Sequence, residues 1–138
     1  MIYKKFINIF SKTFILGQDN IEELIYLKVE ILLCRSFNSA AEYINDLLNT
    51  YHQKANTKEC IIRSLAKILD SLNFFHPFRE GNGRTQREVI RALAISKGYR
   101  AQIRVSDNDI IYNTYMDGTV YGDLQKLENL FELILEKI

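Results

Sequence analysis

Tryptophan is absent from these 138 residues, proline occurs once, and there are only two histidines, two cysteines and six glycines. Each scarcity excludes something. Cys34 and Cys60 sit in apolar runs without metal-like spacing. They read as buried free thiols of a reducing compartment, with a disulfide left open. Charge of one sign is also missing: the net formal charge is +1, so no general pull toward nucleic acid or anionic membrane is built in. Long apolar runs are lacking too, and none reaches membrane-spanning length. Met1 to Phe10 alternates charged and apolar residues without a small-residue cleavage site, unlike a signal peptide. The expectation is a cytoplasmic protein with neither nucleic acid nor membrane as partner. At this length it forms one domain, and 47% apolar with 25% charged residues is the balance of a soluble globular protein.

What is present is mostly helical periodicity. Ser39-Ala-Ala-Glu42 reads as a capping box ahead of Tyr43, Ile44, Leu47, Leu48 and Tyr51. Asn56 to Glu59 opens a second helix, with Ile61, Leu65, Ile68, Leu69 and Leu72 along one stripe. A third runs from Arg84 to Lys97, stops at Gly98, and has Val89, Ile90, Leu93 and Ala94 on its core face. Ser106 and Asp109 cap a short helix to about Met116, followed by Gly118. Asp123 caps a last helix carrying Leu124, Leu127, Leu130, Phe131, Ile134 and Leu135. The segment Ile21 to Leu33 fits a helix, yet Ile25, Leu27, Val29, Ile31 and Leu33 also alternate as in a strand. Sequence alone leaves both open. The fold class is mainly α.

The single proline and one of the histidines stand side by side in "HPFREGNGRTQR", His76 to Arg87. Pro77 forbids further helix, so His76 is held at a helix end with its ring toward a loop. Gly81-Asn82-Gly83 leads into the next helix, where backbone N–H groups and the helix dipole favour an anion. Arg84 and Arg87, three apart, share one face beside that nest. Glu80 is an oxygen ligand suited to a magnesium ion that also holds phosphate. Each piece has a plainer explanation. The histidine would be a cap, the glycines a loop, and the arginines partners of Glu88 or Glu80 on a solvated face. Phe78 anchors the loop to the core in either case, and His52, on a polar helix end, is structural. All the plain explanations must coincide within twelve residues to account for the stretch, which makes them jointly a poor account.

The stretch matches the signature of the Fic family, HPFx(D/E)GNGRxxR, at every specified position: His76, Pro77, Phe78, Glu80, Gly81, Asn82, Gly83, Arg84 and Arg87. A motif of this length is far more specific than a lone glycine pattern. "FNSAAEYINDLL" before it and "GYRAQIRV" and "YGDLQKLENLF" after it resemble the flanking helices of such a domain. The resemblance implies a Fic fold over residues 1–138, a helical bundle around a helix–loop–helix, with a small β-hairpin flap. Residues 37–138 would be the core and residues 1–36 an abbreviated or diverged N-terminal part holding the flap. The need for a flap turns the ambiguous segment, within Thr13 to Cys34, toward strand.

The resemblance implies transfer of AMP from ATP to a Ser, Thr or Tyr hydroxyl of a target protein. His76 would be the general base. Glu80 would hold Mg2+, while Gly81, Asn82 and Gly83 would bind phosphate oxygens. Arg84 and Arg87 would reach the outer phosphates, and Phe78 and Pro77 would be structural. Adenine would sit against the helix of Tyr112 and Tyr115, tyrosines that read slightly better as core. Other activities on this fold are UMP, phosphate or phosphocholine transfer and removal of AMP. Doc-like kinases carry Lys where this chain keeps Gly83, which favours AMP. A non-catalytic nucleotide-binding module would not need His76, and a nucleic-acid-binding helical domain is disfavoured by charge. The family's "iHxxlF" helix, tryptophan turn and inhibitory (S/T)xxxE motif are missing. Thr119 to Asp123 has the inhibitory spacing but the shorter acid. Inhibition is then expected from a separate, antitoxin-like partner, or else from Glu128, Glu132 and Glu136 of the last helix.

Overall fold

The computed structural model describes residues 35–76, 80–104 and 109–138. Their helices are α1 (Arg35–Lys54), α2 (Lys58–Phe75), α3 (Asn82–Ser96), α4 (Asp109–Tyr121) and α5 (Leu124–Ile134). Two short strands, β1 (Tyr99–Arg100) and β2 (Glu136–Lys137), pair antiparallel with Tyr99 opposite Lys137 and Arg100 opposite Glu136. The fold is mainly α. The segment expected to hold the flap lies outside the described residues, and β1–β2 is a separate pairing that follows α3 and α5.

Helix α2 is central and packs against each of the other four helices. Thr57 starts it, since its extended backbone lets Oγ1 accept from the Cys60 N–H at 3.3 Å. Its apolar residues recur on more than one face, so Ile61, Ile62, Leu65, Ala66, Ile68, Leu69 and Leu72 are all buried. A fully buried Leu or Ile contributes about 1.5–3 kcal/mol, which makes this helix the core's main contributor. Cys60, in its first turn, is exposed rather than buried: it precedes the stripe and faces solvent.

Helix α1 turns Ala41, Ile44, Leu48 and Tyr51 onto α2, at alternating spacings of three and four, while Tyr43 is exposed. The expected cap at Ser39 is not one, because α1 already runs from Arg35 and places Ser39 inside the helix. A capping residue needs non-helical backbone. Tyr51 is wholly buried, and its hydroxyl donates to the Leu93 carbonyl at 2.7 Å. Ser96 Oγ donates to the same carbonyl at 2.6 Å. At this junction Lys97 also donates to the His52 carbonyl at 3.0 Å, with its ammonium 5.4 Å from the Tyr51 ring centre.

The last two helices form an antiparallel hairpin. Asp123 caps α5 as its sequence suggests, accepting from the Lys126 N–H at 3.2 Å. Leu127, Leu130, Phe131 and Ile134 face inward. Gly118 does not end α4, which continues to Tyr121. A Cβ at Gly118 would lie 2.5 Å from Leu127 Cδ2 and 2.8 Å from its Cγ, so the glycine is there for close helix approach. The turn is made instead by Gly122, at φ 62°.

Two predictions concern this scaffold. Burial pushes the Tyr51 hydroxyl well above the ordinary tyrosine range, opposed by its hydrogen bonding with Ser96. The raised group supplies stability that is present below the unfolded value of about 10 and is lost as pH rises above it. Tyr51→Phe should therefore cost about 1 kcal/mol at pH 7 yet flatten the alkaline fall, as read by urea unfolding at neutral pH and above pH 10. For Gly118→Ala, overpacking of about 1–3 kcal/mol should exceed the helix-propensity gain of about 1 kcal/mol and lower Tm by several degrees. An unchanged or higher Tm by circular dichroism would show that Leu127 yields freely.

Candidate active site

Helix α2 stops at Phe75, and His76 takes the C-cap in the left-handed region, at φ 42° and ψ 55°. Its N–H donates to the Leu72 carbonyl at 3.1 Å, which closes the helix. Among the described residues it is the only non-glycine with positive φ. Glycine or asparagine usually fills such a position, and a histidine there forgoes about 1 kcal/mol or more. Its ring is exposed. The roles expected of Pro77 and Phe78 fall outside the described residues.

Gly81 makes the second turn at φ 80° and ψ 11°, a conformation that suits a residue without Cβ. Its carbonyl accepts the Thr85 N–H at 3.0 Å, so α3 begins at Asn82 and not at Arg84 as the sequence suggests. One left-handed residue suffices for the turn, and Asn82 and Gly83 are released to the helix. Gly81 caps α3 without a side chain, so no carboxylate or hydroxyl of its own occupies the anion-favouring end.

A cleft of about 300 Å³ opens between these turns and α4. Asn73 and His76 line it from the end of α2; Gly83, Gln86 and Arg87 line it from α3. Tyr112, Tyr115 and Thr119 form part of the facing wall on α4. Of the expected site residues the cleft thus gathers His76, Gly83 and Arg87. Glu80, Gly81, Asn82 and Arg84 lie outside its lining. Asn82 is buried, Glu80 is exposed, and the exposed Arg84 reaches back so that its Nη2 would stand 3.7 Å from a Gly81 Cβ. Tyr115 is core, as its sequence context favours, with its hydroxyl end near Gly83.

Among the described residues no carboxylate pairs with the arginines of the site. The plain expectation that Glu88 neutralises Arg84 or Arg87 fails, because Glu88 is engaged by Arg91, whose Nε donates to Oε2 at 2.9 Å and Oε1 at 3.0 Å. That hydrogen bond holds the Arg91 guanidinium above its ordinary range. Among the described residues Arg87 has no carboxylate partner. The side chains of Thr119 and Asp123, which have the inhibitory spacing, are engaged within their own helices. Thr119 Oγ1 donates to the Tyr115 carbonyl at 2.9 Å, and Asp123 is spent as the α5 cap.

Sequence reasoning missed Asn73, Gln86 and Thr119. Asn73 Nδ2 donates to the Thr119 carbonyl at 2.9 Å, tying α2 to α4. Gln86 Nε2 lies 3.5 Å from the Leu72 carbonyl, the same oxygen that receives the His76 N–H. Both side chains were findable as polar residues on apolar stripes, Asn73 after Leu65 and Leu69, Gln86 before Val89, Ile90 and Leu93.

A family model described as the Fic/DOC family matches residues 9–94, which include the whole His76–Arg87 stretch. The chain is similar, at 34% identity over 76 residues, to a protein adenylyltransferase of Bartonella henselae. That match covers 55% of this chain and 14% of the relative, so the chain spans a small part of that protein's length. The fold is shared with BepC of Bartonella tribocorum, solved with bound AMPPNP, at TM-score 0.61 and 21% identity over 74% of this chain and 49% of that one. It is shared equally with the N-terminal Fic domain of a Bep effector from Bartonella quintana, solved with bound ADP. There the TM-score is 0.61 and the identity 20%, over 73% and 48% of the two chains. From the signature at His76 to Arg87, the mainly α bundle that carries it and the match over residues 9–94, the chain belongs to the Fic/DOC family.

Proposed function

We propose that this chain transfers AMP from ATP to a Ser, Thr or Tyr hydroxyl of a target protein. The observation that carries this is the meeting of His76, Gly83 and Arg87 on one cleft, with the imidazole exposed to an incoming hydroxyl. The target oxygen bonds to the α-phosphorus and its proton passes to a ring nitrogen of His76. The bond from the α-phosphorus to the bridging oxygen breaks, and pyrophosphate leaves with that electron pair. Imidazole is the side chain most often used to take up such a proton. The first turn of α3 and the guanidinium of Arg87 would face the charge that develops on the phosphates, and Arg84, outside the cleft lining, would have to turn inward to join them. The relative named protein adenylyltransferase, and the AMPPNP and ADP in the solved relatives, support the reading.

Glu80 fits a magnesium ion carried by the nucleotide. Its carboxylate is exposed beside the Gly81 turn, and among the described residues no group of three His, Cys, Asp or Glu side chains could cage a metal alone. One carboxylate plus phosphate oxygens is a sufficient set for magnesium, which would supply charge neutralisation there. Among the described residues no carboxylate pairs with Arg87, which supports inhibition by a separate, antitoxin-like protein acting in the cytoplasm.

Labelled ATP and a lysate test the base. His76→Ala should lose about 10² to 10⁴ in transfer while keeping ATP affinity, and full transfer by the variant would refute the assignment. His76→Gly should be equally inactive yet more stable than His76→Ala by about 1 kcal/mol, because only glycine relaxes the left-handed turn. For the carboxylate, Glu80→Ala should weaken ATP binding in the presence of magnesium and leave binding in its absence unchanged, as followed by calorimetry.

A further inference from the structure

Among the described residues Arg87 meets an aromatic ring and no carboxylate. Its guanidinium carbon lies over the Tyr115 ring at 5.9 Å from the ring centre, within the roughly 6 Å at which a cation is drawn to an aromatic face. On the helix side its Nη1 occupies the space next to Gly83, where a Cβ would stand only 3.1 Å away. The Tyr115 hydroxyl comes within 4.0 Å of that same Cβ position. Gly83, Arg87 and Tyr115 therefore form one packed group on the cleft wall. Tyr115 itself is 5% exposed and cannot swing aside without disturbing the core.

We infer that Tyr115 is a positioning residue for Arg87, and that the side-chain-free Gly83 is what lets the guanidinium lie between them. The inference rests on the adenylyl-transfer reading for the identity of the anion and on geometry for the pairing. A carboxylate would orient an arginine equally well, but it would cancel the field that a polyphosphate is meant to meet. An aromatic face fixes the guanidinium plane while leaving its full charge and its outward N–H donors for the ligand. This explains the contrast with Arg91, which Glu88 both orients and neutralises on the next turn of the same helix. The consequence is selectivity among nucleotides. Arg87 gains from outer phosphates, so removing Tyr115 should hurt ATP more than AMP.

The test uses Tyr115→Leu and Tyr115→Phe in the whole chain. In proton–nitrogen spectra the Arg87 Nε–H resonance, assigned through Arg87→Lys, should carry a ring-current shift that Tyr115→Phe keeps and Tyr115→Leu abolishes. In calorimetry with magnesium, Tyr115→Leu should weaken ATP about 3- to 10-fold and leave AMP within about twofold, Tyr115→Phe should retain parental values, and in an Arg87→Ala background Tyr115→Leu should add nothing. Equal loss of ATP and AMP would mean a merely structural tyrosine and would overturn the inference, as would a parental spectrum without the shift. If the parent binds no nucleotide while the shift is present, the adenylyl-transfer reading falls and the pairing of Tyr115 with Arg87 stands.

Discussion

A helix packed against four others has little freedom in where it stops, and that constraint on α2 governs the rest of the molecule. Its apolar residues must stay inside along the whole length from Ile61 to Leu72, so the chain has to leave abruptly at the surface just beyond. The single carbonyl of Leu72 marks the exit, accepting the His76 N–H and lying within reach of Gln86. Asn73 in the same turn reaches α4. Core burial thereby fixes where the imidazole stands, although the imidazole is not in the core. The left-handed backbone at His76 is the local strain by which an apolar helix presents a polar ring to a cleft.

Two arginines of α3 show how little separates a structural charge from an available one. Arg87 and Arg91 are a turn apart on one helix, and Glu88 is next to the first. Adjacent helical residues diverge by about 100° and do not face each other, whereas residues three apart do. Glu88 is committed to Arg91 for that reason, and Arg87 lies against an aromatic ring with no carboxylate partner among the described residues. The pattern of a single acid placed one residue after one arginine and three before another decides which of them that acid neutralises.

Much of the scaffold was legible because its signals are local. The helix start within Asn56 to Glu59, the Asp123 cap and the buried stripes of α2, α3 and α5 follow from spacing and from short polar side chains at helix starts. The misreadings have a common cause, which is that a local signal was overruled by something distant. Ser39 resembles a cap, but the helix begins upstream; Gly118 resembles a stop, but Leu127 of another helix requires it. Cys60 looks apolar in sequence and faces water, because Ile61 and Ile62 take the inward positions. Of the signature residues, His76, Gly83 and Arg87 line the cleft, yet the signature was silent on α4. The wall residues Thr119 and Tyr115 come from a helix whose register no motif marks.

The close approach at Gly118 also bears on motion. With Leu127 seated against the α4 backbone and Asp123 capping α5 directly after the turn, these two helices have no slack between them. Half of the cleft lining belongs to α4, so that wall shifts only if the α4–α5 hairpin shifts as a body. Side-chain rotation takes picoseconds to nanoseconds, while displacement of a packed hairpin is a collective event of microseconds to milliseconds. Any breathing of the cleft that depends on this wall is therefore a slow, collective event rather than a side-chain adjustment.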